Sequence, residues 1–109
     1  MPAAARKGDW CIPHCSPYTT SRGSNDVFIN GKPANRVGDS VQIHLFKVGN
    51  YCIPHAPPIS SGAETVFING RPAAFVGSKT CTSIATGSRD VFISGAKKKP
   101  PQPPIVVSP

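Results

Sequence analysis

A chain of 109 residues has room for one domain and little more. A domain of this size buries only about 60–65% of the surface that its unfolded chain exposes, so its apolar core alone gives limited stability. The 13 prolines and 10 glycines exclude a long amphipathic helix and favour turns and short strands. The net charge of +7 gathers neither on one helical face nor beside an aromatic platform, so we expect solvated charge and no nucleic acid partner.

The N-terminal segment predicts where the protein is made. Residues 1–10 carry charge but lack the apolar stretch of a signal peptide, and no segment approaches the ~20 apolar residues of a membrane span. These features predict a soluble protein made in the cytoplasm. In that compartment cysteines are expected to stay as thiols, which favours metal ligation over a disulfide framework. The expectation covers Cys11, Cys15, Cys52 and Cys81.

An internal repeat is the most informative feature of the chain. Residues 27–39 begin with Val-Phe-Ile-Asn-Gly, and residues 66–78 repeat the same pattern. A third copy starts at residues 91–95 and then stops. Its missing half is predicted at residues 2–9, which match the second half of the other copies up to one inserted alanine.

A repeat split between the termini makes physical sense only if the two ends of the chain meet. Each Asn-Gly pair predicts a tight type I′ hairpin, because both residues tolerate the positive φ of that turn. The sequence therefore predicts an all-β fold of three hairpin repeats with pseudo-threefold symmetry, closed by pairing of its N- and C-terminal segments. We expect the domain to span residues 1–95 and a flexible Lys/Pro-rich tail to span residues 96–109.

Two four-residue segments carry a resemblance to a known family. Residues 33–36, Pro-Ala-Asn-Arg, and residues 72–75, Pro-Ala-Ala-Phe, each follow a strand with Asn-Gly and precede Gly-Asp or Gly-Ser. They resemble PAAR repeats, and the resemblance covers about residues 1–95. It implies a small cone on the blunt end of a trimeric β-helical spike, with a zinc ion held by three His and one Cys near the vertex. The chain departs from the pattern at Asn35, in place of the second Ala, and at Phe75, in place of Arg.

The spacing of the histidines within the repeats indicates a metal site. His14 and His44 each lie five residues after the aspartate that ends their repeat, and Cys81 lies three residues after the matching serine. The sequence Cys-Ile-Pro-His occurs twice, and its two copies end at His14 and at His55. Three His and one Cys form a closed tetrahedral set, which suits structural Zn²⁺ and leaves no position for a catalytic water. The predicted ligands are His14, His44, His55 and Cys81.

Other interpretations stay open at this point. Cys11 and Cys52 are expected to be small packing residues, but spacing also permits a competing site built from Cys11, Cys15, Cys52 and one His. A zinc-ribbon-like nucleic-acid-binding module is the alternative function, although it requires Cys-x-x-Cys knuckles and the chain has Cys-x-x-x-Cys once. A Cys/His enzyme is not expected, because most of the carboxylates fall at repeat positions typical of turns and strand starts.

The resemblance implies a mechanical function. The protein would cap and sharpen a VgrG-like spike of a type VI secretion system, or its phage baseplate counterpart, with one copy per trimer. It would contact the target membrane transiently while it helps to pierce the cell envelope, and its tail could recruit an effector. We therefore expect it on the injection machine and then, after translocation, in the target cell. Which machine, spike or effector is involved stays open.

Overall fold

A computed structural model describes residues 1–94 of the chain. Within them the regular structure is all-β, and no helix is long and apolar enough to cross a membrane. The tail 96–109 and Gly95, the last residue of the third repeat's hairpin sequence, lie outside the described residues. The strands are β1 (Trp10–Cys11), β2 (Tyr18–Thr19), β3 (Phe28–Ile29), β4 (Lys32–Pro33), β5 (His44–Val48), β6 (Tyr51–His55), β7 (Phe67–Ile68) and β8 (Arg71–Pro72).

Four antiparallel hairpins pair these strands in chain order, β1 with β2, β3 with β4, β5 with β6 and β7 with β8. The two Asn-Gly turns have positive φ at both residues, 55° at Asn30 and 54° at Asn69, each followed by glycine at 79°. This is the backbone that a type I′ turn requires. The turns predicted from the Asn-Gly pairs are therefore confirmed.

The residues that follow the hairpins form a closed triangle of three extended segments. Each segment pairs with the next through a single bridge, so the first, second and split repeats surround one axis. The bridges join Arg6 to Ala34, Arg36 to Ala73, and Phe75 to Ala4. This ring is the pseudo-threefold arrangement that the repeats predict.

The N-terminal segment completes the third repeat, as predicted. Ala3 pairs with Phe92 as Pro33 pairs with the phenylalanine of the first repeat, and the Ile93 amide donates to the carbonyl of residue 2 at 2.9 Å. Residues 2–9 therefore match residues 32–39 without a gap. The prediction of one inserted alanine was therefore wrong. It came from aligning Pro2 with Pro33, whereas the strand pairing aligns Ala3 with Pro33.

Two small apolar clusters lie above and below the ring, because neighbouring alanines point in opposite directions. The basal core comprises Ala4, Ile29, Ala34, Ala63, Ala73, Phe75 and Ile93. The apical core comprises Ala5, Cys11, Tyr18, Val41, Ile59, Ala74 and Ile84. In each repeat the chain thus runs from a basal hairpin, through the ring, to an apical loop.

Glycine is required where a second segment crosses each ring strand. A Cβ at Gly23, Gly62 or Gly87 would lie 2.6–2.9 Å from backbone oxygens of the adjacent ring strand. No other residue fits at that distance without moving the backbone. These equivalent glycines therefore hold the outer segments tightly against the ring.

The fourth residue of each PAAR-like segment ties its repeat to the neighbouring repeat where that residue is arginine. Arg36 donates to both carboxylate oxygens of Asp39, at 2.8 and 3.0 Å, and reaches the Asn-Gly turn of the second repeat at 3.0 Å. Arg6 makes the same contacts in the split repeat. In the second repeat Phe75 replaces the arginine, and the Ser78 hydroxyl accepts the Phe75 amide at 3.0 Å. The arginine's role is therefore kept in two of the three repeats.

Candidate metal centre

Three apical segments bring the predicted ligands together. His14 lies in the loop between β1 and β2, His44 begins β5, and His55 ends β6 directly opposite His44 in the ladder. Cys81 lies in the loop that follows the ring segment of the second repeat and packs against the apical core. Within residues 1–94, the hairpin β5–β6 occurs only in the first repeat, which explains why one repeat supplies two histidines.

The potential ligand atoms of these four residues converge on one point. The Nε2 atoms of His44 and His55 are 2.9 Å apart, and His44 Nε2 is 3.1 Å from the Cys81 sulfur. The His14 ring centroid is 5.4 Å from that of His44 and 5.3 Å from that of His55. One ligand atom from each of the four side chains lies within 4.8 Å of all the others. The group could therefore hold a metal ion.

Hydrogen bonding prepares His44 to ligate through Nε2. Its Nδ1 atom lies 2.8 Å from the carbonyl oxygen of Gln42. Because a carbonyl oxygen only accepts, Nδ1 carries the proton and the Nε2 lone pair points toward His55 and Cys81. An outer hydrogen bond of this kind fixes the tautomer of metal-ligating histidines.

The donor set fits a metal ion in its chemistry and in its span. Burial, followed by the neighbouring His44 and His14 imidazoles, lowers the pKa of His55, so the neutral form that ligates metals is favoured. In a tetrahedral site with bonds of about 2.0–2.3 Å, two ligand atoms lie roughly 3.3–3.8 Å apart. The four ligand atoms here lie within 4.8 Å of one another, so the widest pair must close by about 1 Å to bind one ion.

The cysteine expectations are only partly correct. Cys15 and Cys52 form a disulfide across 37 residues with a Cα–Cα distance of 6.1 Å, so the prediction that all four cysteines stay as thiols is wrong. The competing metal site is wrong for the same reason, since two of its thiolates are consumed. Cys52 lies on the exposed hairpin and is not a packing residue. The sequence did hold a clue to this disulfide, because Cys15 is adjacent to His14. If His14 joins His44 and His55 in one site, the loop that carries His14 also brings Cys15 close to the hairpin that carries Cys52.

Cys11 behaves as the sequence predicts. It is buried in the apical core and carries a free thiol. Burial raises the pKa of the Cys11 thiol to about 11, so the thiol stays protonated at neutral pH. Such a group packs as a small apolar side chain.

Tyr18 belongs to this site, and sequence reasoning missed it. Its ring stacks on His44 with centroids 3.5 Å apart, and its hydroxyl lies 3.2 Å from the Cys81 sulfur. Burial raises the pKa of Tyr18 to about 12. No repeat-related position singled it out, because the other repeats have no tyrosine to match.

The fold and the site together define a small all-β domain of three repeats around an axis, with an apical His/Cys group that could hold a metal ion. The model of the PAAR motif family matches residues 51–98. A comparison with curated proteins found no match. The repeats and the ring agree with this match, which supports a PAAR-repeat protein. Proteins of this kind are structural and serve at the spike tip of contractile injection systems, and the motif supports that general role here.

Proposed function

We propose that this protein caps the blunt end of a trimeric, VgrG-like spike. Three exposed phenylalanines at equivalent repeat positions carry the proposal. Phe28, Phe67 and Phe92 are 55%, 56% and 47% exposed, and each precedes an isoleucine that packs in or against the basal core. Exposed aromatic side chains that recur around an axis are typical of an interaction surface. We call these three side chains the basal phenylalanine set.

The symmetry of this surface favours a trimeric partner. A single chain with three similar hairpins can meet three identical subunits in nearly equivalent ways, and a second copy would find no surface left. One tip per trimer is therefore expected. Unpaired strand ends on both partners would supply backbone hydrogen bonds across the junction.

The apical end would carry the metal ion, for which we propose Zn²⁺. Three imidazoles and one thiolate are the donors that structural zinc prefers. The β1–β2 loop, the hairpin β5–β6 and the loop that carries Cys81 meet at this end beside the apical core, so an ion that joins them stabilises the fold. Structural zinc contributes about 10 kcal/mol or more to the folding of small domains. A cone fixed in this way at its narrow end would help the spike to pierce an envelope and would travel with it into the target cell.

Binding to a purified spike trimer tests the proposed cap. Replacing Phe28 or Phe67 with aspartate should weaken binding by about 2 kcal/mol or more, roughly 30-fold in Kd, because central aromatic anchors dominate interfaces of this kind. Tyr51→Asp is the matched control, since Tyr51 is 75% exposed but lies on the apical hairpin. Equal losses in all three variants, or none in any, would contradict a basal interface.

A further inference from the structure

Tyr18 is the largest side chain that is fully buried in the described part of the chain. It lies on β2, two residues before the Thr20–Val41 bridge. Its ring is nearly parallel to that of His44, at an interplanar angle of 4°, while its hydroxyl faces the loop that carries Cys81. One side chain thus contacts two of the four residues of the candidate metal centre.

The hydroxyl of Tyr18 has three neighbours. It lies 2.6 Å from Thr82 Oγ1, 2.8 Å from Thr80 Oγ1 and 3.2 Å from the Cys81 sulfur. The Thr82 hydroxyl donates its own proton to the Ile12 carbonyl at 2.7 Å, so it can only accept from Tyr18. Thr80 Oγ1 already accepts the Thr82 amide at 3.1 Å, which leaves its hydroxyl free to donate to Tyr18.

Tyr18 therefore has one proton to give and two possible acceptors, Thr82 and Cys81. Between a neutral hydroxyl and a thiolate, the charged acceptor forms the stronger hydrogen bond. Cysteine ligates metals as the thiolate. In the metal-bound protein the Tyr18 proton is then expected to lie toward the sulfur.

We propose that Tyr18 is a positioning residue of the metal centre, which fixes the His44 ring by stacking and donates a hydrogen bond to the Cys81 thiolate. The proposal rests on the metal centre proposed above. A hydrogen bond to a ligating thiolate withdraws electron density from the sulfur, so it tunes the metal–sulfur bond as well as its orientation. The Thr80 hydroxyl, which is free to donate to the phenol oxygen, holds the phenol in place for this contact.

Cobalt substitution tests the hydrogen bond directly, because Co²⁺ bound to a thiolate has a sulfur-to-metal charge-transfer band in the near ultraviolet. Tyr18→Phe keeps the ring against His44 and removes only the hydroxyl. Without the hydrogen bond the sulfur is more easily oxidised, so the band should move to lower energy. The Kd for Co²⁺ should rise about tenfold, as loss of an outer-sphere partner typically causes. Tyr51→Phe, which removes an exposed hydroxyl, is the matched control and should leave both quantities unchanged.

A second variant keeps the test decisive if Tyr18→Phe does not fold. Thr82→Val removes the competing acceptor and should leave the band at or above its wild-type energy. A shift of Thr82→Val to lower energy, or a folded Tyr18→Phe that matches Tyr51→Phe in spectrum and affinity, would overturn the role of Tyr18. Failure of the wild-type protein to bind Co²⁺ would instead overturn the metal centre itself, so the two failures are distinguishable.

Discussion

Reduction of the Cys15–Cys52 disulfide should strongly destabilise the metal-free protein. The bond joins the loop that carries His14 to the strand that ends at His55, across a sequence separation of 37 residues. The chain-entropy relation for a loop of this length gives about 4 kcal/mol at 25 °C. For a domain of this size that loss corresponds to a melting temperature lower by roughly 15–30 °C.

Thermal unfolding followed by circular dichroism, with chelator present and with or without a reductant, measures this effect. The chelator is needed because the released thiols could bind metal. The double variant Cys15→Ser/Cys52→Ser should melt like the reduced wild type and should not respond to the reductant. If mass spectrometry shows both thiols free while the wild-type melting temperature is unchanged, the entropic reasoning is refuted.

Two further perturbations address the metal and the split repeat. His44→Ala or Cys81→Ala should abolish the binding of about one zinc per chain and lower the melting temperature, as elemental analysis and calorimetry would show; a wild type that melts identically with and without chelator would count against a structural metal. Deleting residues 2–9 should cause aggregation, measured by light scattering, because Ala4 and Arg6 are lost from the ring and strand edges become exposed. Deleting residues 97–109 should be nearly silent by comparison, and the opposite ranking would refute the importance of the closed ring.

The repeat architecture could be predicted from the sequence because each of its parts has a local signal. Asn30-Gly31 and Asn69-Gly70 specify their turns through backbone conformation alone. The split repeat could be predicted because residues 2–9 match the second half of the other two copies. The register of that segment could not be predicted. Pro2 and Pro33 are the same residue type, but they occupy different positions in the strand ladder.

The four residues of the candidate site could be predicted from the sequence, but the side chains that surround them could not. His14, His44 and Cys81 occupy related positions, so the repeat itself indicates that they converge. The stacking of Tyr18 depends on the path of β2 through the apical core, which no local pattern encodes. The disulfide was missed because the expected compartment argued against it, whereas the geometry of the hairpin brings Cys15 and Cys52 together.

The mass of the complex with a purified spike trimer tests the proposed cap most directly. Native mass spectrometry should show one copy of this protein per three spike subunits, and moderate salt should weaken the complex only modestly. Strong dependence on salt is typical of phosphate-backbone contacts, which we do not expect here. Three copies per trimer, or no complex with any spike while nucleic acid binds tightly, would contradict the account.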